Sequence, residues 1–235
     1  MPRITPEVCP NAPILSHVTT VLLIRHGRST ANAQGVLAGR SDSPLDDTGH
    51  DQALDLANRL ADVPLDVLIS SPQPRALQTA EMAAAGRAVA IVDGAFAECD
   101  YGDWSGAALS ELATEPAWEI VQWQPSAAEF PAGETMAQMA HRSTHRVRQL
   151  VRENPDGFVW IVTHGDVIKA VVADALGVHF DHFQRIVVDT ASVSVIHYTA
   201  RRPFVEKLND TGSLRLARKP SAEGSDAVVG GRDTQ

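Results

Sequence analysis

Apolar and polar positions along the chain separate into short β-branched runs and longer stripes of helical period. Residues 18–24 (Val-Thr-Thr-Val-Leu-Leu-Ile) stop abruptly at Arg25-His26-Gly27, and a run of that kind bounded by polar chemistry predicts a buried strand. Further runs at 66–70, 88–92, 158–162, 186–188, 192–198 and 204–208 predict six more strands. Between them, Ala53, Leu56, Ala57 and Leu60 repeat at helical spacing through 49–62, behind Thr48 as an N-cap. Helices are also expected over 75–85, where Pro74 suits a first turn, and over 107–123, 134–153 and 166–176, the last closed by Gly177. Residues 28–48 carry Gly35, Gly39, Ser41, Ser43 and Pro44 without a helical stripe. They are expected to be loop, as are the glycine- and acid-rich residues 93–106.

Strands alternating with helices argue for an α/β fold, a three-layer α/β/α sandwich around a mostly parallel sheet. The last strands leave little room for crossover helices and are expected to pair partly antiparallel. The domain is expected over 18–209. An irregular, proline-bearing lead-in precedes it at 1–17, and a polar, aperiodic tail follows at 210–235. No internal repeat is present.

Composition narrows the function classes. The 235 residues are 44% hydrophobic, enough for one sizeable core. A net charge of −9 argues against a nucleic-acid partner. No apolar run approaches the ~18 residues of a membrane span, so no membrane partner is expected. Cys9 and Cys99 make no disulfide framework, and the first apolar run does not read as a signal peptide. Both features favour a reducing, cytoplasmic setting. Oligomeric state stays open, with a homodimer among the options.

Candidate chemistry lies where strands end. The 18–24 run delivers Arg25 and His26, the 66–70 run leads through Ser71-Pro72-Gln73-Pro74 to Arg75, and the 158–162 run leads to Thr163-His164-Gly165. Ligands of open α/β sheets bind beyond the carboxyl ends of the strands. Two guanidinium groups suit a phosphate monoester, since each binds bidentately. His164 falls where a helix begins, and first-turn amides favour an anion. Asn32 adds an amide donor. His26 can attack phosphorus only through a nitrogen that is free of a proton, so its other nitrogen should donate to a fixed acceptor such as a backbone carbonyl. The leaving oxygen needs a proton, for which Glu98 stands first, with Asp100 and Asp103 as rivals.

Arg25-His26-Gly27, Asn32, Arg75 after Ser-Ser-Pro, Glu98 before Tyr101-Gly102-Asp103-Trp104, and His164-Gly165 together resemble the histidine phosphatase superfamily, also called phosphoglycerate mutase-like. The resemblance covers about residues 18–208. Within it, residues 36–45 and 165–189 are most similar to actinobacterial proteins described as probable phosphomutases. It implies the same sandwich fold and a small phosphorylated substrate. It also implies a catalytic set of His26, Glu98, His164, Arg25 and Arg75. Arg28, Ser29, Asn32 and Gly165 would border the substrate, and Gly133-Glu134-Thr135 matches a step that the family often places near it. Neither a metal nor another cofactor is implied.

Competing chemistries lack their residues. His141 and His145 have helical metal spacing, but Arg142, Ser143 and Thr144 lie between them, without a glutamate. Neither cysteine has an arginine six residues on, and no Walker loop is present. The reading is therefore a phosphomonoesterase that passes through phospho-His26 and releases inorganic phosphate. A phosphomutase is the runner-up, disfavoured by Cys99 beside the acid and by a short segment between Glu98 and His164. A non-catalytic phosphate-binding module is the third reading.

Overall fold

The computed structural model describes residues 17–212 and 214–216. The chain runs through β1 (Thr19–Arg25), α1 (Thr30–Gln34), α2 (Asp47–Arg59), β2 (Val67–Ser70), α3 (Pro74–Ala84) and β3 (Ile91–Val92). It continues through α4 (Leu109–Leu112), α5 (Pro116–Trp123), α6 (Met136–Glu153), β4 (Phe158–Thr163), α7 (Gly165–Leu176), β5 (Val193–Tyr198) and β6 (Pro203–Asp210). The strands form one sheet in the order β3-β2-β4-β1-β5-β6. β1, β2, β3 and β4 pair in parallel, while β5 and β6 join antiparallel on the far side of β1. The carboxyl ends of β1, β2 and β4 therefore share one edge of the sheet. Register pairs Arg25 with Thr163 and Ser70 with Val162, which brings the three sequence motifs side by side.

Strand alternation sends successive residues to opposite faces. Val21 and Leu23 join Val159, Ile161, Met139, Val147 and Val171 under α6 and α7. Leu22 and Ile24 join Trp160, Val162, Leu56, Ala76 and Ala80 under α2 and α3. Burial on both faces explains why β1 reads as a continuous apolar run rather than an alternating one. The fold is the expected three-layer α/β/α sandwich with a mostly parallel sheet. Among the described residues, no helix is long and apolar enough to cross a membrane.

Several expected elements differ. Residues 28–48 contain α1, whose start is a capping box: Ser29 accepts from the Asn32 amide, and the Asn32 side chain accepts from the Ser29 amide. The stripe at 107–123 divides into α4 and α5, because Pro116 cannot continue a helix and instead opens a new one. Residues 186–188 are not a strand. Ile186 and Val188 are buried while Val187 is exposed, and the Val188 carbonyl accepts from Arg25 Nη1 at 2.6 Å instead of from a neighbouring strand. Of the run at 88–92 only Ile91 and Val92 pair, on the sheet edge. The lead-in at 1–16 lies outside the described residues. Past 209 the chain stays packed for several residues: β6 ends at Asp210, Arg59 donates to the Asp210 and Gly212 carbonyls, and Leu214 is buried.

Candidate active site

A cleft of about 200 Å³ opens at the carboxyl edge of the sheet. Arg25, His26, Arg75, Glu98 and Gly165 border it, and so does Asn32. β1 carries Arg25 and His26 to the edge. α3 presents Arg75 from its first turn, where a cation is disfavoured by the helix dipole and must find other partners. His164 is the N-cap residue of α7 and makes no side-chain cap bond; its ring is fully buried behind the cleft lining, against Arg75, Gln73 and Ser71.

His26 is buried, and its Nδ1 lies 2.6 Å from the Gly27 carbonyl oxygen. A carbonyl oxygen only accepts, so Nδ1 carries the proton and Nε2 keeps its lone pair. Arg75 Nε donates to that lone pair at 3.3 Å. Burial, then the Arg75 and Arg25 charges, hold His26 well below the ordinary imidazole range. The ring is therefore neutral, with its free nitrogen toward the cleft. The His164 ring stands 5.1 Å away, edge-on at 61°. It too is held well below the ordinary range, by burial first and then by Arg75 and His26.

Arg75 is almost wholly buried, and each of its nitrogens has a partner. Besides His26, Nη2 donates to the Gly39 carbonyl at 2.6 Å and reaches His164 Nδ1 at 3.3 Å, and Nη1 donates to the Ser41 carbonyl at 3.1 Å. Arg25 differs. Nη1 is fixed on Val188, but Nε is a buried donor without a partner. Such a group costs roughly 1–3 kcal/mol unless something accepts from it. A methyl group on Gly165 would sit 3.5 Å from that nitrogen, so the glycine leaves it uncovered. An anion seated between the two arginines would supply the missing acceptor.

Glu98 borders the same cleft. Burial, then the Asp166 charge, raise its carboxyl to about 7. That value suits a group that both gives and takes a proton near neutral pH. Its loop is held from behind: the Glu98 carbonyl accepts from Arg40 Nε at 3.1 Å and from Arg142 Nη2 at 3.0 Å. The rival acids are turned elsewhere. Asp100 accepts from the Gly102 amide and from Arg40, and Asp103 is exposed. Cys99 points into the core rather than the cleft.

The remaining expected border residues divide. Asn32 and Gly165 line the cleft. Arg28 instead pairs with Asp46 at 2.7 Å and Thr48 at 2.8 Å, and Ser29 is buried as the cap of α1. Glu134 is taken up by Arg142 at 2.6 Å and Arg40 at 2.9 Å, so it braces the Glu98 loop. Three residues that sequence reasoning missed stand at the site. Asp166 accepts from Tyr101 Oη at 2.8 Å, and Lys169, one turn along α7, reaches Gln184 at 2.9 Å and Asp166 at 3.4 Å; both line the cleft. Gln73 lies beneath, against His164 and the Glu98 amide. Among the described residues, no group of three or more His, Cys, Asp or Glu side chains is placed to hold a metal.

A neutral, buried imidazole with an unprotonated nitrogen, flanked by two guanidinium groups and a carboxyl near pH 7, makes a site suited to an anionic ligand such as a phosphate ester. The model of the histidine phosphatase superfamily (branch 1) matches residues 21–211, and the chain belongs to that superfamily. Phosphoserine phosphatase 1 of Hydrogenobacter thermophilus is 33% identical over 197 residues, which cover 83% of this chain and 93% of the relative. Among solved structures, Bacillus stearothermophilus YhfR is 31% identical with a TM-score of 0.75, covering 80% of this chain and 95% of its own. The mycobacterial glucosyl-3-phosphoglycerate phosphatase complexed with VO3 is 26% identical with a TM-score of 0.73, covering 81% and 98%. The chain is a phosphatase of this superfamily.

Proposed function

We propose that the cleft hydrolyses small phosphomonoesters through a phosphohistidine at His26. The observation that carries this reading is the 2.6 Å contact from Nδ1 to the Gly27 carbonyl, which leaves Nε2 unprotonated in the resting site. The phosphoryl dianion sits between Arg25, Arg75, His164 and the first turn of α7, where the orphan Arg25 Nε gains its acceptor. Nε2 attacks phosphorus as the ester P–O bond breaks, and the leaving oxygen takes the Glu98 proton. The phosphorylated ring keeps its Nδ1 proton on Gly27. In the second half, the Glu98 carboxylate takes a proton from water as that oxygen attacks phosphorus. The P–N bond breaks, and inorganic phosphate leaves a neutral His26.

The outer cleft speaks to the substrate. Leu37 and Leu109 give it an apolar side, and Lys169 offers a cation on α7. A helix rises about 1.5 Å per residue, so Lys169 stands roughly 6 Å along α7 from Gly165. A compact ester with a second anionic group fits that arrangement. The names of two relatives, phosphoserine phosphatase and glucosyl-3-phosphoglycerate phosphatase, agree with such a substrate. The experiment is rapid acid-free quenching with a substrate labelled in its phosphoryl group, followed by mapping of acid-labile, base-stable label. Label on His26 that turns over at the rate of phosphate release is expected. A burst of turnover with label on another residue, or with none at any quench time, would refute the mechanism.

A further inference from the structure

Beneath the cleft, one oxygen stands within hydrogen-bond distance of three groups. Gln73 Oε1 lies 3.0 Å from His164 Nε2, 2.5 Å from Ser71 Oγ and 3.3 Å from the Glu98 amide nitrogen. Gln73, Ser71 and His164 are all buried. A glutamine amide can be turned over, exchanging its oxygen and nitrogen. Here the Glu98 backbone N–H fixes the choice, because it only donates and must meet the oxygen. Ser71 Oγ also touches His164 Nε2, at 2.6 Å, but a hydroxyl can donate or accept and so dictates nothing about the ring. The amide oxygen can only accept, and a lone pair on Nε2 facing it would be repelled.

We infer that Gln73 is a positioning residue that holds His164 as its Nε2–H tautomer and ties that ring to the loop carrying Glu98. The proton on Nε2 is shared between Gln73 Oε1 and Ser71 Oγ, and the Ser71 hydroxyl passes its own proton on to Gln73. His164 Nδ1 is then the free nitrogen, in agreement with its acceptance of Arg75 Nη2 at 3.3 Å. Each histidine of the site thereby has one nitrogen fixed by an acceptor-only oxygen, in opposite senses: Nδ1 by the Gly27 carbonyl for His26, Nε2 by Gln73 for His164. Through the same oxygen, the acid loop and the His164 ring keep a fixed separation. In sequence Gln73 looks like a turn residue between two prolines, and only the fold reveals its reach to two motifs 25 and 91 residues away.

This inference rests on the phosphohistidine reading for its catalytic meaning, but its structural content is testable without turnover. The probe is nitrogen-15 NMR of ring-labelled histidine in the resting, full-length protein, which distinguishes the two neutral tautomers. His164 is expected as Nε2–H and His26 as Nδ1–H. In Gln73→Met, similar in length but without the acceptor, His164 should become a tautomer mixture and kcat/KM should fall roughly tenfold, as for the loss of one buried hydrogen bond. Gln73→Glu, which keeps an acceptor-only oxygen, should restore the Nε2–H signature. Wild-type His164 found as Nδ1–H would overturn the assignment, even if Gln73→Met does not fold. A folded Gln73→Met protein with an unchanged signature and rate would do so as well. Failure of phosphoryl labelling at His26 would instead strike the mechanism and leave the tautomer result standing.

Discussion

Glu98 should be worth more to the enzyme than to the fold, and the two effects can be separated by one substitution. Its carboxyl titrates at about 7 in the folded chain, against an ordinary 4.5, because burial and then Asp166 disfavour the anion. The folded state thus binds the proton more tightly than the unfolded state. The contribution to stability is fully present below pH 4.5 and is lost as pH rises through 7. The full displacement corresponds to a ceiling of ~3 kcal/mol, and the partial contact of the side chain with water reduces it to ~1–3 kcal/mol. Glu98→Gln cannot ionise and can still accept from the Cys99 amide, which lies 2.9 Å from the carboxylate. Urea unfolding of both proteins from pH 5 to pH 8 should therefore show the variant gaining ~1–2 kcal/mol on the wild type across that range. The pH dependence isolates this group, because any fixed cost of the new amide is the same at each pH. The variant should meanwhile lose at least ~100-fold in kcat/KM on alkyl phosphates, whose leaving oxygen needs a proton, and less on aryl phosphates. The wild-type profile should fall above about pH 7 as the acid ionises. A stability difference that does not change with pH would refute the burial argument, and equal losses on both ester types would remove Glu98 from the proton transfer.

Other outcomes follow from the same geometry. His26→Ala should lose turnover and phosphoryl labelling together while keeping its melting temperature near that of the wild type; label retained on the variant would put the nucleophile elsewhere. Arg75→Lys should lose roughly 10³-fold in kcat/KM, because a single ammonium cannot serve the Gly39 and Ser41 carbonyls and the phosphate seat together; vanadate inhibition and kcat/KM measure this, and near-wild-type values would show that the fork is dispensable. Treatment with a strong chelator should leave the rate unchanged, and loss reversed by added metal would contradict that expectation. Incubation with phosphoglycerates and sugar phosphates should release inorganic phosphate faster than it yields isomers, and the reverse order would favour a mutase.

The parts of the fold and site that were legible in the sequence are those with a local cause. β1 and β4 are buried on both faces, so each prints a continuous apolar run, and the polar residues that end them stand out. The need of His26 for a backbone acceptor followed from the chemistry of an attacking nitrogen, and the Gly27 carbonyl fills that role. α1 escaped notice because five residues are too short to show a stripe, although Ser29 and Asn32 had the spacing of a capping box. Residues 186–188 have strand composition, but Arg25 claims the Val188 carbonyl. Gln73, Asp166 and Lys169 could not be recognised because their roles depend on partners distant in sequence. Arg28 and Glu134 illustrate the converse: both adjoin motif residues, yet each is committed to ion pairs beside the cleft.

Arg75 grips the cleft wall at the carbonyl oxygens of Gly39 and Ser41. Those atoms belong to the main chain, and every residue type carries one. The cleft wall of Val36, Leu37 and Ala38 is thus joined to Arg75 through main-chain oxygens that follow it, and not through its own side chains. Substitution along that segment can reshape the cleft while leaving Arg75 where it is. Exchange of the Val36 or Ala38 side chain is accordingly expected to change which phosphate esters the cleft accepts more than the rate at which the bond breaks.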